Sequence, residues 1–355
     1  MKIIHTSDIH LDSPLSTRLT PAKTRERKRE LIATFRRITE DAEKISASAI
    51  IISGDLFDSE TVCARTLDIT LGIIENAKNT EFFYLSGNHE KDVLLRTGLS
   101  LPKNLHIFGE EWTYFSIGNV KIIGRSKTEP LMFDTLRLNE EDKNILVLHG
   151  PVTEKSDTEG GIGKRELLKL PVDYIALGHY HSYSEAKISN RCRAVYSGTP
   201  EGRGFDETGE MGYSVIDISG TSVSHKFVRS AQRTLHIKEV DISGVSREIE
   251  LEKLVERALY DVPHSDLVRI VLTGMHESSL IRDTEALVKR FESRVYYLEV
   301  TDKSKLAISG DDYKNDISLK GEFIRLVLGE GSLSEEQKEK IIECGIRALA
   351  GEEPL

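Results

Sequence analysis

One pattern occurs five times in the first half of the chain and limits what it can fold into. A short apolar run ends in a small residue, and side chains that bind metals follow. Apolar runs of this length bounded by Gly and Ser are typical of buried strands. The runs and their polar ends are Ile3-Ile4 before His5 to His10, Ala49 to Ile52 before Ser53-Gly54-Asp55, Phe82 to Leu85 before Ser86 to His89, Ile145 to Leu148 before His149-Gly150, and Tyr174 to Leu177 before Gly178 to His181.

Helical segments separate the first three strands. The apolar residues of the first helix recur every three or four positions and so share one face: Leu31, Phe35, Ile38, Ala42 and Ile45. A second helix is predicted at residues 61–77. Alternating strands and helices predict βαβ units and a buried sheet. Because ligands bind outside the carboxyl ends of such strands, the polar residues after the five strands are expected to meet there.

The pattern of predicted strands and helices changes twice in the rest of the chain. The runs 194–196, 213–218 and 223–228 have no helix between them, and we interpret them as hairpins that close a second sheet. After residue 231, strand and helix patterns alternate up to residue 305 and predict a small α/β unit. The segment 309–316 is polar and rich in Gly and Asp, and the last part is helix-like, with Ser334 as a candidate N-cap. We therefore predict three parts, residues 1–230, 231–308 and 309–355.

Charge and composition exclude several classes of protein. The net charge of −10 excludes a uniformly basic protein that coats nucleic acid, but not a local basic groove or a site where metal ions supply positive charge. No apolar run approaches 18 residues, and no apolar leader follows Met1. The three scattered cysteines make a disulfide framework or a zinc knuckle unexpected. We expect no membrane span and a cytoplasmic location.

The side chains at the strand ends form a mixed oxygen and nitrogen donor set without a thiolate. Such a set suits Mn, Fe, Co or Zn, and seven donors are too many for one ion but appropriate for two. Two ions bridged by a carboxylate activate water for in-line attack on phosphorus and offset the charge of a polyanion. The candidate ligands are Asp8, His10, Asp55, Asn88, His149, His179 and His181.

The motifs D-x-H, GDLFD, GNHE, LHG and GHYH, in this order, resemble those of the calcineurin-like metallophosphoesterase superfamily. The chain length, the small α/β unit and the run Tyr196 to Glu201 resemble more narrowly the nuclease subunit of SbcCD-type complexes for DNA double-strand-break repair, in its YhaO-like branch. The resemblance covers residues 1–305, and the last 50 only loosely. It implies an α/β fold: a metallophosphoesterase β-sandwich flanked by helices, with a small α/β capping domain at residues 231–308 and a helical C-terminal segment.

The resemblance also implies roles for the motif residues. His89 would not be a ligand; it would stabilise the phosphate charge and help to protonate the leaving oxygen. Asp58 is predicted to hydrogen-bond His89 and to raise its pKa, although some nucleases carry His at this position. One metal ion would be held by Asp8, His10 and His181, the other by Asn88, His149 and His179, and Asp55 would bridge them.

The activity implied is Mn-dependent 3′ to 5′ exonuclease and endonuclease cleavage of DNA ends. The resemblance further implies a homodimer and a partner, the SbcC-type coiled-coil ABC ATPase, bound by residues 309–355. A partner fits the sequence, because Gly160 to Lys164 is followed by Arg165 and not by the Ser or Thr of a P-loop. The capping domain would contact duplex DNA beside the active site.

Other interpretations remain open at the level of sequence. A small-molecule phosphodiesterase, acting on cyclic or dinucleotide substrates, would use the same metals. A protein phosphatase is disfavoured because Ser59-Glu60, and not Arg-Gly, follows Asp58, and a scaffold because no ligand is missing. The basic helix face at residues 25–37 could follow a phosphate backbone, but a solvated helix face is the commoner explanation. His5 is predicted to be structural, and Glu90 to support the site or to be solvated.

Overall fold

The computed structural model describes residues 1–15, 17–91, 93–96, 98, 100–126, 131, 133–154, 161–277, 280–307, 313 and 316–349. The chain folds into two compact units, Met1–Leu235 and His236–Leu355. Of the polar segment 309–316, all residues but Tyr313 and Asp316 lie outside the described residues, as does Gly160. No helix within the described ranges is long and apolar enough to cross a membrane.

The first unit carries most of the regular structure. In chain order its elements are β1 (Lys2–Thr6), α1 (Pro21–Lys44), β2 (Ala49–Ser53), α2 (Ala64–Asn76), β3 (Glu81–Leu85), α3 (Val93–Arg96), β4 (Leu105–Ile107), β5 (Thr113–Ile117), β6 (Val120–Gly124), a 3-10 turn (Phe133–Thr135), β7 (Lys143–His149), β8 (Val152–Thr153), β9 (Ile162–Gly163), α4 (Lys164–Leu167), β10 (Tyr174–Gly178), β11 (Ser184–Lys187), β12 (Arg193–Tyr196), β13 (Gly212–Ser219) and β14 (Ser222–Arg229).

Twelve of the described strands of this unit form two six-stranded sheets, ordered β14-β13-β1-β2-β3-β4 and β11-β12-β10-β7-β6-β5, and β8 pairs with β9 in a separate two-stranded sheet. In the first sheet the parallel strands β1 to β4 carry antiparallel strands on one side only, whereas in the second sheet the parallel strands have an antiparallel strand on each side. Alternate residues of β1 and β2 face different partners: Ile3 and Ile51 join the core between the sheets, while Ile4 and Ile50 join the core under α1 and α2. The predicted sandwich flanked by helices is therefore confirmed.

The hairpin of β13 and β14 is not where the sequence placed it. We expected it to close the second sheet, but β13 pairs antiparallel with β1 and extends the first sheet, with Ile3 opposite Ile216. The alternation of apolar residues identifies a strand but carries no information about its neighbour, which explains the error. The strands β4 to β6 also went unpredicted.

Helix α1 begins at a capped Pro and buries one face. The Thr20 hydroxyl accepts a hydrogen bond from the Lys23 backbone N–H, and Pro21 occupies the first turn. The predicted stripe from Leu31 to Ala42 is fully buried. The basic face, however, is divided: Arg25, Arg29 and Arg36 are exposed, as a solvated face requires, whereas Arg27 is only 1% exposed.

Arg27 is buried because it neutralises a buried carboxylate. Its Nη1 lies 3.1 Å from Oε1 of Glu201, which is also 1% exposed, and its Nη2 donates to the Gly202 carbonyl at 2.6 Å. Glu30 on the same helix contacts the guanidinium as well. This pair ties α1 to the loop that follows β12.

The second unit is a small α/β structure with paired helices. Its elements are β15 (Leu235–Asp241), α5 (Glu248–Ala258), β16 (Leu267–Thr273), β17 (Met275–His276), α6 (Thr284–Phe291), a 3-10 turn (Glu292–Arg294), β18 (Tyr297–Asp302), β19 (Lys305–Leu306), α7 (Leu319–Gly329) and α8 (Glu335–Leu349). The sheet order is β15-β16-β18. The Ser334 hydroxyl accepts from the Gln337 N–H, as an N-cap does. Ile342 and Ile346 of α8 pack on Ile324 of α7.

We predict that Arg27→Ala lowers the free energy of unfolding of the first unit by about 3–5 kcal/mol, because it leaves the Glu201 carboxylate buried without its cation. Urea unfolding followed by tryptophan fluorescence measures this unit selectively, since Trp112 is the single tryptophan of the chain. The control is Arg29→Ala on the exposed side of α1, expected to change stability by less than about 0.5 kcal/mol. Equal effects of the two substitutions would contradict the assigned role of Arg27.

Candidate metal centre

The predicted ligands follow strands whose carboxyl ends lie side by side. The loops after β1 and β2 are joined by backbone hydrogen bonds from Asp8 N to the Gly54 carbonyl, at 3.0 Å, and from His10 N to the Asp55 carbonyl, at 2.9 Å. The loop after β10 is joined to them because the His179 N–H donates to the Asp8 carboxylate at 3.0 Å. Loops from both sheets thus meet at one edge, which we call the carboxyl edge.

Three groups of described side chains at the carboxyl edge could hold metal ions, since the donor atoms of each group lie within 4.8 Å of one another. Two further predicted ligands lie beside them. Asn88 Oδ1 is 2.9 Å from His149 Nε2, and the His179 ring is 5.6 Å from the His149 ring, although His179 joins none of the three groups. The groups are Asp8 with His10 and His181, Asp8 with Asp55 and His149, and His10 with Asp58 and His89.

Two imidazoles of the first group are held by carboxylates on their outer side. His10 Nδ1 lies 3.0 Å from Asp58 Oδ1, and His181 Nδ1 lies 2.8 Å from Glu207 Oε1. A carboxylate accepts the Nδ1 hydrogen and leaves the Nε2 lone pair for a metal. The two Nε2 atoms lie 3.3 Å apart. Two facing lone pairs at this distance are satisfied by a cation between them, so this group fits a divalent ion.

His149 is oriented in the same way by the backbone. Its Nδ1 lies 2.9 Å from the Ser53 carbonyl, which can only accept, so Nε2 faces Asn88 and Asp55. Gly54 is required beside it, because a Cβ at that position would overlap the His149 ring and because its φ is +101°. Gly87 is required for the matching reason: a Cβ there would overlap the Asp55 carboxylate.

Several site residues hold a backbone conformation that side chains disfavour. Left-handed φ values of non-glycine residues are uncommon and cluster at functional sites, where the surrounding structure fixes them. Here the hydrogen bonds between loops supply that constraint. The residues and angles are Asp8 at 50°, His10 at 48°, Asp55 at 52° and His179 at 109°.

The Asp55–His149 pair carries opposite charges in the metal-free protein. Burial disfavours protonation of His149, but its hydrogen bond to Asp55 and that carboxylate's charge outweigh burial and raise the pKa of His149 to about 9. Burial disfavours the charged form of Asp55 too, yet His149 and then His10 lower the pKa of Asp55 to about 2. The centre therefore stabilises positive charge beside Asp55.

Asp58 is placed differently from our expectation. Its carboxylate contacts His10 Nδ1 and, at 2.7 Å, Nη1 of Arg203, while His89 Nδ1 lies 3.2 Å from the backbone carbonyl of Asp58. The hydrogen bond predicted from the Asp58 side chain to His89 is thus made by its main chain. The physical reason is competition, because the carboxylate is already held by an imidazole and a guanidinium.

Sequence reasoning assigned no role to Glu207 or Arg203. Glu207 is 2% exposed; burial disfavours its charge, but the hydrogen bond from His181 and the charge of Arg203 lower the pKa of Glu207 to about 2. Arg203 Nη2 donates to Glu207 at 2.6 Å and Nη1 to Asp58. Neither residue belongs to a strand-end motif, so nothing in the pattern pointed to them.

Glu90 is buried, not solvated, and binds the backbone of the loops that follow β2 and β3. Its fully buried carboxylate accepts hydrogen bonds from the N–H groups of Leu56, Phe57 and Gly87, at 3.0, 2.5 and 3.2 Å. Burial, with the charge of Asp55, raises the pKa of Glu90 to about 7. His5 is likewise buried, between Tyr174 and Ser53.

We predict that the chelator-treated protein loses stability as the pH rises from 6.5 to 9. His149 has a folded pKa above its ordinary value of 6.5, so its contribution is complete below pH 6.5 and disappears as the pH passes 9. The loss should be on the order of 2–3 kcal/mol in urea unfolding. Asp55→Asn should remove most of this dependence, and an unchanged pH slope in that variant would contradict the pairing.

The chain is similar in sequence to known proteins. The chain is 25% identical over 315 residues to the metallophosphoesterase YhaO of Bacillus subtilis, covering 82% of this chain and 76% of that protein. It is 24% identical over 360 residues to the DNA double-strand break repair protein Mre11 of Methanosarcina acetivorans, covering 94% of this chain but 56% of that protein. The chain therefore spans little more than half the length of this second relative.

A solved structure of a dimetal phosphatase from Danio rerio is similar over 64% of this chain and 96% of that one, with a TM-score of 0.43 and 12% identity. The family model described as calcineurin-like phosphoesterase matches residues 1–183, which include all seven predicted ligands. The chain belongs to the calcineurin-like phosphoesterase family.

Proposed function

We propose that this phosphoesterase is a metal-dependent DNA nuclease that hydrolyses phosphodiester bonds at DNA ends during double-strand-break repair. The observation that carries the proposal is the convergence of oriented imidazoles and buried carboxylates at the carboxyl edge. The homologous Mre11 proteins, named for DNA double-strand break repair, support DNA as the substrate. A 3′ to 5′ polarity is part of the proposal.

Two divalent ions, manganese in our proposal, would be held by the seven ligands. Asp8, His10 and His181 would hold one, Asn88, His149 and His179 the other, and Asp55 would bridge them. When bound, such ions supply positive charge against the phosphate and lower the pKa of water toward neutrality. The oxygen and imidazole donors, with their Nδ1 atoms already occupied at His10, His149 and His181, support this assignment.

The chain's own residues would act on the leaving group. His89 is exposed beside the centre, its ring 4.9 Å from that of His10. The Asp58 carbonyl holds its Nδ1, and its backbone N–H donates to Asp55 Oδ1 at 3.2 Å, which leaves Nε2 for a substrate. We propose that His89 stabilises the phosphate charge and donates a proton to the leaving oxygen. Asp58 would act as a positioning residue through His10 and through its carbonyl.

The partners belong to the same proposal. The small α/β structure of the second unit would contact duplex DNA, and a homodimer is proposed from the family resemblance. The helices α7 and α8 leave apolar side chains in water, with Leu319 69% and Leu326 70% exposed. Exposed apolar residues on paired helices support docking of this segment on an SbcC-type coiled-coil ATPase.

The first test is hydrolysis of end-labelled linear duplex DNA by the full chain with Mn, with Mg and with chelator. We predict Mn-dependent release of label, lowered about 10²- to 10⁴-fold by His89→Ala, because general acid catalysis has that magnitude. Both ions should remain bound in that variant. The control is His106→Ala, since His106 pairs with Glu81 at the opposite end of β3.

Robust hydrolysis of a small phosphodiester without any DNA cleavage would contradict the proposed substrate. It would favour a small-molecule phosphodiesterase, which uses the same ligands. Loss of metal binding in His89→Ala would contradict the role of His89 and make it a ligand.

A second prediction concerns the buried carboxylate behind His181. Glu207→Ala should weaken the binding of one of two Mn ions about 10- to 100-fold and leave the other unchanged, because outer-sphere partners of ligating histidines have effects of this size. Isothermal titration of the chelator-treated protein with Mn measures both ions. Glu210→Ala, an exposed carboxylate in the same loop, is the matched control. Equal weakening of both ions would show that Glu207 acts through global stability.

A further inference from the structure

The phenol ring of Tyr180 is exposed at the carboxyl edge. Tyr180 stands between two proposed ligands in the sequence Gly178-His179-Tyr180-His181, and it is 47% exposed. Because the ring lies between two proposed ligands in the chain, it is placed where it could contact a substrate bound at the centre. None of the proposed metal or proton-transfer functions uses this side chain.

The Tyr180 ring is supported from behind and therefore presents a defined surface. Its centroid lies 4.8 Å from that of Tyr196 and 5.3 Å from that of His179. Tyr196 is fixed in turn, because its hydroxyl accepts from Val152 N at 2.8 Å and donates to the Gly150 carbonyl at 3.1 Å. The supporting ring cannot move aside without breaking both hydrogen bonds.

The hydroxyl of Tyr180 does not explain the position of the ring. Among the described residues it has no hydrogen-bond partner. Tyr114, which is similarly exposed at 45%, differs in this respect, since its hydroxyl accepts from the Arg137 N–H at 3.0 Å. What Tyr180 offers beside the centre is therefore its aromatic face.

We propose that Tyr180 is a stacking platform for the nucleobase of the nucleotide whose phosphate occupies the metal centre. This inference rests on the proposed function and narrows its substrate class. Stacking on an aromatic ring requires a base that is out of the duplex stack and tolerates all four bases. The preferred substrate is then an unpaired or frayed DNA terminus, cleaved without regard to sequence.

The test compares two ligands that share a phosphate but differ in the base. Binding of dAMP and of deoxyribose 5-phosphate to the Mn-loaded full chain is measured by calorimetry, and chromatography afterwards checks that the dAMP is intact. The wild-type protein should bind dAMP about 5- to 100-fold more tightly, the range expected for one base stacked on an aromatic side chain. Tyr180→Ala should bring the two affinities together.

Two controls separate stacking from damage to the centre. Tyr180→Phe should keep the preference for dAMP, because the ring and not the hydroxyl stacks, and Tyr180→Ala should bind deoxyribose 5-phosphate as the wild type does. Equal binding of both ligands by the wild type, or a preference that survives Tyr180→Ala, would overturn the proposal. The proposed nuclease function fails separately, by the absence of DNA cleavage in the wild-type protein.

Discussion

The burial of two carboxylates, Asp8 and Asp55, is the constraint on which the candidate centre depends. Both are at most 1% exposed, and an isolated carboxylate in such a place would be strongly unfavourable. Asp8 is compensated by the His179 N–H, and Asp55 by His149 and the His89 N–H. His149 lowers the pKa of Asp55 and so keeps that carboxylate ionised. The remaining oxygen capacity of the two carboxylates is what a divalent cation would use.

The charged residues that contact the candidate ligands also need partners of opposite charge. His10 and His181 are oriented by Asp58 and Glu207, and the guanidinium of Arg203 contacts both of these carboxylates. One cation thus fixes two anions, and each anion fixes one imidazole. The guanidinium of Arg203 therefore offsets the two carboxylates behind the imidazoles, so these acidic groups can lie together beside the centre.

The candidate ligands could be identified from the sequence alone. Short apolar runs ending in metal-type side chains identified β1, β2, β3, β7 and β10, and the meeting of parallel strand ends followed from general rules of sheet structure. The residues that contact these ligands were not predicted, because Arg203 lies 145 residues from Asp58 and no periodicity connects them. Likewise, Arg27 belonged to a basic run by its spacing, and only the fold shows that it pairs with Glu201. Periodicity shows which face of a helix or strand is apolar, but not which polar group from a distant part of the chain will contact it.

The most direct measurement is anomalous diffraction at the manganese edge from crystals of the full chain grown with Mn. The account predicts two peaks at the carboxyl edge, both about 2.0–2.5 Å from an oxygen of the Asp55 carboxylate, as a bridging ligand requires. A single peak, or two peaks of which only one contacts Asp55, would contradict the bridged centre from which the proposed chemistry follows.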